Sequence, residues 1–181
     1  MAGRAVELKG VGLIVIERSK RTRRIRISVH PLKGVRVAVP YGVSFDTAQA
    51  FAESRMSWIK KHLQRSQKAT PIHISDIPDK NKAAVKIINR LNALSTKHQL
   101  HYNRVFIRNQ KTRWGSCSAK NNISLNIKLS LLPDEFLDYV LLHELVHTQI
   151  KNHSKKFWES LNVLVGDAKK MDRGLNDYQL L

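Results

Sequence analysis

Apolar and polar positions alternate cleanly in the first third of the chain and take up helical spacing in most of the rest. Ile25, Ile27 and Val29 alternate with Arg24, Arg26 and Ser28, the period-two pattern of a half-buried strand. Pro31 and Gly34 then carry turn chemistry, and Val35, Val37 and Val39 resume the alternation. A hairpin is therefore expected, with Arg24, Arg26 and Arg36 on its outer face. Residues 13–17 predict a third strand, joined to the hairpin by the Arg-rich run 18–24. Ser44 is placed to cap one helix reaching about residue 64, along which Phe45, Ala48, Ala52, Ile59 and Leu63 keep roughly helical spacing.

Residues 70–80 show neither period and hold Pro71, Ser75 and Pro78, so 71–80 reads as a linker between an N-terminal lobe, 1–70, and a second lobe, 81–181. The second lobe opens with a helix over 81–97 that buries Ile87, Ile88, Leu91 and Leu94, then a short strand over 104–109 and a polar loop over 110–120. Ile123, Leu125, Ile127 and Leu129 alternate with Asn122, Ser124, Asn126 and Lys128, which predicts a strand over 123–129. Pro133, followed by Asp134 and Glu135, starts a helix reaching about Ile150, and Ser154 is placed to cap another that ends near Gly166. The fold class these elements predict is α+β: a basic N-terminal β-hairpin and sheet lobe with a helix, then a lobe of helices on a mixed sheet.

Composition narrows the class. With 181 residues, 42% of them apolar, the chain can build a core without a cofactor, and no apolar run approaches the ~20 residues of a membrane span. The N-terminus lacks a long apolar stretch and carries Glu7, so a cytoplasmic protein without membrane association is expected. Cys117 is the single cysteine, which excludes an intrachain disulfide and a four-thiolate zinc site. Its expected role is packing, and any metal must be held by His and carboxylate. The net charge of +18 is uneven: residues 1–70 hold 15 basic and 4 acidic side chains, 71–130 hold 11 and 2, and 131–181 hold 6 and 8. The basic lobe is thus expected to face anions, including nonspecific contacts to nucleic acid, while the C-terminal third does something else.

The helix from Pro133 is apolar almost all round, yet it holds His143, Glu144 and His147. Residues four apart share a helical face, so both imidazoles can point at one ion, with Glu144 beside it. This is the H-E-x-x-H arrangement of a zinc hydrolase: two ligands, and a carboxylate placed to take a proton from metal-bound water. His153 follows ten residues after His143, and Asn152 before it can reverse the chain through a left-handed turn. Three protein ligands with one open position is a catalytic metal site.

The stretch His143 to His147, followed by Asn152-His153-Ser154 and Phe157-Trp158 and preceded by the RWGSCS run from Arg113 to Ser118 and by ISLN from Ile123 to Asn126, resembles the YgjP-like metallopeptidase family. The resemblance implies a zincin-like helix and sheet core, zinc or another divalent metal on His143, His147 and His153, and Glu144 as general base. The ligand spacing is also similar to that of metzincins, but Ile150 stands where they place Gly.

The motif fixes the nucleophile and leaves the substrate open. For a peptide, the strand at 123–129 is the expected docking edge, with Ser124 and Asn126 facing the substrate. For a nucleoside triphosphate such as UTP, Arg113 with Lys111 and Lys120 would clamp phosphate and Trp114 would stack on the base, giving a metal-dependent pyrophosphatase. A third reading is a nucleic-acid-binding protein whose metal is structural, with Glu159 or Asp167 as a fourth ligand.

Overall fold

The computed structural model describes residues 3–30 and 33–181, and its α+β fold divides into two units, Met1–Ala69 and Thr70–Leu181. In the first, β1 (Gly3–Leu8), β2 (Gly12–Arg18), β3 (Arg26–His30) and β4 (Gly34–Val39) form one sheet in the order β1-β2-β4-β3. The expected hairpin is β3 and β4, paired antiparallel with Val29 opposite Val35; its turn residues Pro31 and Leu32 lie outside the described residues. Alternation sends Ile14, Ile16, Val35 and Val37 inward against Ala48, Ala52 and Ile59 of the helices.

The single helix expected from Ser44 is two, α1 (Phe45–Ser54) and α2 (Met56–Lys68). Ser44 caps α1, its hydroxyl accepting from the Thr47 amide at 3.0 Å. The break has a local cause. The Ser54 hydroxyl donates to the Phe51 carbonyl at 2.8 Å, competing with the helical ladder, and Arg55 leaves helical geometry at φ −109° and ψ 17°.

In the second unit, the stretch 71–80 is not a linker. Thr70–Ile72 forms β5, and it pairs in parallel with Tyr178–Leu180 (β9). A short 3-10 turn, Ile74–Asp76, leads to α3 (Lys80–His98), whose N-cap Asp79 accepts from the Lys82 amide. Three-residue strands are too short for a period to register, and Pro71 is tolerated because a two-stranded pair is all edge. β6 (Val105–Arg108), β7 (Gly115–Cys117) and β8 (Ile123–Asn126) form a mixed sheet in the order β6-β8-β7, with β8 parallel to β6 and antiparallel to β7. Helices α4 (Asp134–Val146), α5 (Lys155–Val165) and α6 (Ala168–Leu175) complete the unit. Ile87 and Leu91 of α3, Ile123 and Leu125 of β8, Leu141 and Leu145 of α4 and Phe157 and Leu161 of α5 share its core. No helix among the described residues is long and apolar enough to cross a membrane.

Candidate metal centre

Helix α4 ends at His147, about one turn earlier than its apolar run suggests. Past Val146 the amides of Thr148 and Gln149 bond back to Leu145 and Val146, a tighter winding that swings the Ile150 carbonyl onto the His147 ring. That carbonyl lies 2.9 Å from His147 Nδ1. A carbonyl can only accept, so Nδ1 carries the proton and Nε2 presents a lone pair. The chain then reverses without a left-handed residue at Asn152, contrary to expectation. Instead the Asn152 side chain accepts from the Ser154 amide at 3.3 Å, and the Ser154 hydroxyl makes no capping bond on α5.

This turn brings His153 back over α4. Nε2 of His147 lies 3.2 Å from that of His143 and 3.1 Å from that of His153, and His153 and His143 are 3.1 Å apart. Phe157, fully buried on α5, forms the floor, stacked on His147 at 4.5 Å between centroids and edge-on to His143 and His153. Burial, reinforced by the other two imidazoles, holds the His143 pKa down at about 3, and burial likewise lowers His147. Both imidazoles are neutral at physiological pH, the form in which a ring nitrogen can bind a metal. A tetrahedral ion with nitrogen ligands at ~2.0–2.1 Å sets those nitrogens about 3.3–3.4 Å apart. The three histidines fit such an ion with little adjustment.

Glu144, about 100° around the helix from His143, lies against β7 of the sheet. It is 5% exposed, and its Oε2 is buried with no hydrogen-bond partner in the protein. Burial pushes its pKa up to about 8, while Arg113 pulls it down. Its carboxylate is not among the ligand atoms that lie within 4.8 Å of one another, which come from His143, His147 and His153 alone. Glu159 instead pairs with Lys155 at 3.5 Å, and Asp167 caps α6, accepting from the Lys170 amide at 2.9 Å. Neither supplies a fourth ligand.

Glu144 rests directly on Gly115 of β7. A Cβ there would fall 2.7 Å from Glu144 Oε1 and 2.8 Å from its Cγ, so only glycine lets the strand approach. Gly115 was absent from the expected site residues; its signal in the sequence is a lone glycine beside Trp114 in an otherwise side-chain-bearing loop. The register of β7 matters as well. Trp114 accepts from the Asn126 amide and the Ser118 amide bonds to Asn122, so 114, 116 and 118 face β8. By alternation, the backbone groups of Gly115 and Cys117 point the other way, to an edge with no strand on it among the described residues.

Other expected site residues are placed differently. β8 is the central strand of its sheet, so it cannot be the docking edge, and Ser124 is half-buried on it between Phe106 and Ser116. Asn126 is fully buried, and its amide donates to the carbonyls of Gln110 at 2.8 Å and Arg113 at 3.0 Å. Its Oδ1 accepts from the Lys128 amide, which ends the strand at 126 and starts a 3-10 turn over Ile127–Leu131. Asn126 therefore holds the loop before β7 and has no donor left for a substrate. Trp114 packs against the core, and Arg113 is exposed near Glu144. Cys117 also packs on the core, its thiol pKa raised mainly by burial. The Lys151 ammonium beside it donates to the Ser118 carbonyl at 3.0 Å and to Asn121, tying the turn after α4 to the end of β7.

The profile of a family described as YgjP-like, metallopeptidase domain, matches residues 23–78 and 74–178. The chain belongs to the YgjP-like metallopeptidase family. Membership in a metallopeptidase family calls for a divalent metal, and among the described residues the His143, His147 and His153 group could hold it. No curated protein matches this YgjP-like chain. Among solved structures it is similar to the metallopeptidase zymogen abylysin of Pyrococcus abyssi, with 24% identity, a TM-score of 0.45, and coverage of 52% of this chain and 99% of that one. The zymogen jannalysin of Methanocaldococcus jannaschii gives 24% identity, a TM-score of 0.44, and coverage of 49% and 92%. Wss1 of Saccharomyces cerevisiae gives 21% identity, a TM-score of 0.42, and coverage of 57% and 89%.

Proposed function

We propose that this YgjP-like chain is a zinc-dependent peptidase in which His143, His147 and His153 hold the metal and Glu144 is the general base. The observation that carries the reading is the pairing of three convergent imidazole nitrogens with a buried carboxylate oxygen that has no partner in the protein. An unpaired buried polar atom costs ~1–3 kcal/mol and calls for a functional account, here the acceptance of a proton from water. Zinc, when bound, supplies a Lewis acid that lowers the pKa of water at its open position to ~7, and a positive charge that, with Arg113, favours the carboxylate of Glu144.

The chain's own groups do the rest. His147 is held in the ligating tautomer by Ile150, and Phe157 excludes water beneath the three rings. Glu144, wedged against Gly115, holds its proton-accepting oxygen at a fixed place beside β7. An extended peptide adding to the free edge of β7 would bond to the backbone of Gly115 and Cys117. Its scissile carbonyl would then lie next to Glu144. The pyrophosphatase reading has no such support, because Trp114, its expected stacking platform, packs on the core and the matching family profile is that of a metallopeptidase domain.

Incubating the zinc-loaded protein with a denatured polypeptide and, separately, with a panel of nucleoside triphosphates tests the proposal, with Glu144→Gln as the control. Peptide cleavage that disappears in the variant is expected. Glu144-dependent release of pyrophosphate without peptide cleavage would overturn it.

A further inference from the structure

A second surface lies wholly within the first unit and includes no residue of the metal centre. A shallow groove of about 320 Å3 is lined by Ile25, Arg26 and Ile27, at the start of edge strand β3, and by Phe51 of α1, Arg55 at the break and Trp58 of α2. Its volume is at the low end of the ~300–1,000 Å3 of small-ligand pockets, room for a single flat ring system. Trp58 is 43% exposed although it is the largest side chain of its unit, and its ring lies 4.1 Å from that of His62, tilted by 39°. The Arg55 guanidinium sits over the Phe51 ring at 5.7 Å. Phe51 on α1, Arg55 at the break between the helices and Trp58 on α2 line the groove together, and His62 lies one turn beyond Trp58 on α2.

Charge decides what such a groove takes. The unit holds only four acidic residues, and none lines it. Asp46 pairs with Arg4, Glu17 with Arg36, Glu53 accepts from Gln49, and Glu7 is on β1 at the opposite edge of the sheet. No acidic side chain pairs with Arg26 or Arg55 among the described residues, and exposed Arg23 and Arg24 extend the positive track beyond the groove. An aromatic platform flanked by unpaired guanidinium groups matches a chain of flat rings strung on phosphates. A duplex hides its ring faces and could use only the charges.

We infer that the groove between β3 and α1–α2 is a docking site for single-stranded nucleic acid, with a base stacked on Trp58 and phosphates bound by Arg26 and Arg55. Binding is sequence-tolerant, since every base offers a ring face. The site stands independently of the peptidase reading, because no residue of the metal centre takes part.

Fluorescence anisotropy of a labelled 15-nucleotide oligothymidine with the full-length protein is the test. Trp58→Ala should weaken binding at least about fivefold, the low end of what one stacked base is worth, while Trp58→Phe should stay within about twofold. Arg26→Gln with Arg55→Gln should flatten the slope of log affinity against log salt by roughly 1.4, about 0.7 for each phosphate of a single strand that is no longer neutralised. The same oligomer as a duplex should bind more weakly and be insensitive to Trp58. Lys156→Gln with Lys169→Gln, an equal removal of charge in the second unit, should change little. The inference is overturned if Trp58→Ala stays within twofold of wild type or if the second-unit variant weakens binding as much as the arginine pair. It is likewise overturned if phosphatidylserine vesicles bind through Trp58 while the oligomer does not bind.

Discussion

Gly115→Ala tests how Glu144 is held. Gly115 does not have a positive φ, so its backbone accommodates alanine and the substitution isolates one steric effect. The new methyl would fall 2.7 Å from Glu144 Oε1, 2.8 Å from Cγ and 3.0 Å from Cδ, distances at which one group must move by about half an ångström or more. Glu144 is buried behind by the core of α4, so the strain falls on the carboxylate and on β7 together. Overpacking of this size costs ~1–3 kcal/mol in stability. Misplacement of a catalytic group by 1 Å costs about 100-fold in rate. The nearest atoms to the new methyl all belong to Glu144 and none to a histidine, so the three imidazoles should keep their metal. With kcat measured on a denatured polypeptide and zinc content measured in parallel, Gly115→Ala should lose about 100-fold in kcat while holding about one zinc per chain. A rate within threefold of wild type would refute the positioning argument, and loss of zinc would show that Gly115 shapes the ligands instead.

Arg113→Gln removes the charge that pulls the Glu144 pKa down. A base must be ionised, so the acid limb of kcat/KM should move to higher pH, and an unmoved limb would deny Arg113 that role. In metal-free protein, His143 has a pKa lowered from 6.5 to about 3, so its contribution to stability is complete above pH 6.5 and is lost as pH falls toward 3. Glu144, raised from 4.5 to about 8, contributes fully below pH 4.5 and loses that contribution as pH rises through 8. Thermal melts in chelator should therefore show Glu144→Gln gaining on wild type as pH rises between about 4.5 and 8; a pH-independent difference would contradict this. Asn126→Ala strands the carbonyls of Gln110 and Arg113 at ~1–3 kcal/mol and should raise amide exchange across 110–114, whereas unchanged exchange would mean the loop is held otherwise.

How far the sequence discloses the site depends on the range of the interaction that places each residue. His143 and His147 are set by helical period alone, and His153 needs one tight turn more, so all three were legible. Glu144 and Gly115 meet through a tertiary contact across 29 positions, and nothing local announces it. The alternation over 123–129 was real, yet it misled twice. It continued past the true end of β8 because the Asn126 side chain, not hydrophobic period, stops the strand. It also could not say that β8 is central and β7, only three residues long, is the edge. The division of the α1–α2 helix at Arg55 follows from a serine hydroxyl competing with the backbone, a choice propensity does not fix.

The central claim divides one helix between metal ligands and a base, and an equilibrium zinc titration tests that division most directly. Wild type should bind one ion per chain. His143→Ala, His147→Ala and His153→Ala should each weaken binding by more than the 10–100-fold that an outer partner is worth, to beyond about 100-fold, while Glu144→Gln should bind as wild type does. Wild-type affinity in His153→Ala, or a loss in Glu144→Gln as large as in the histidine variants, would contradict it.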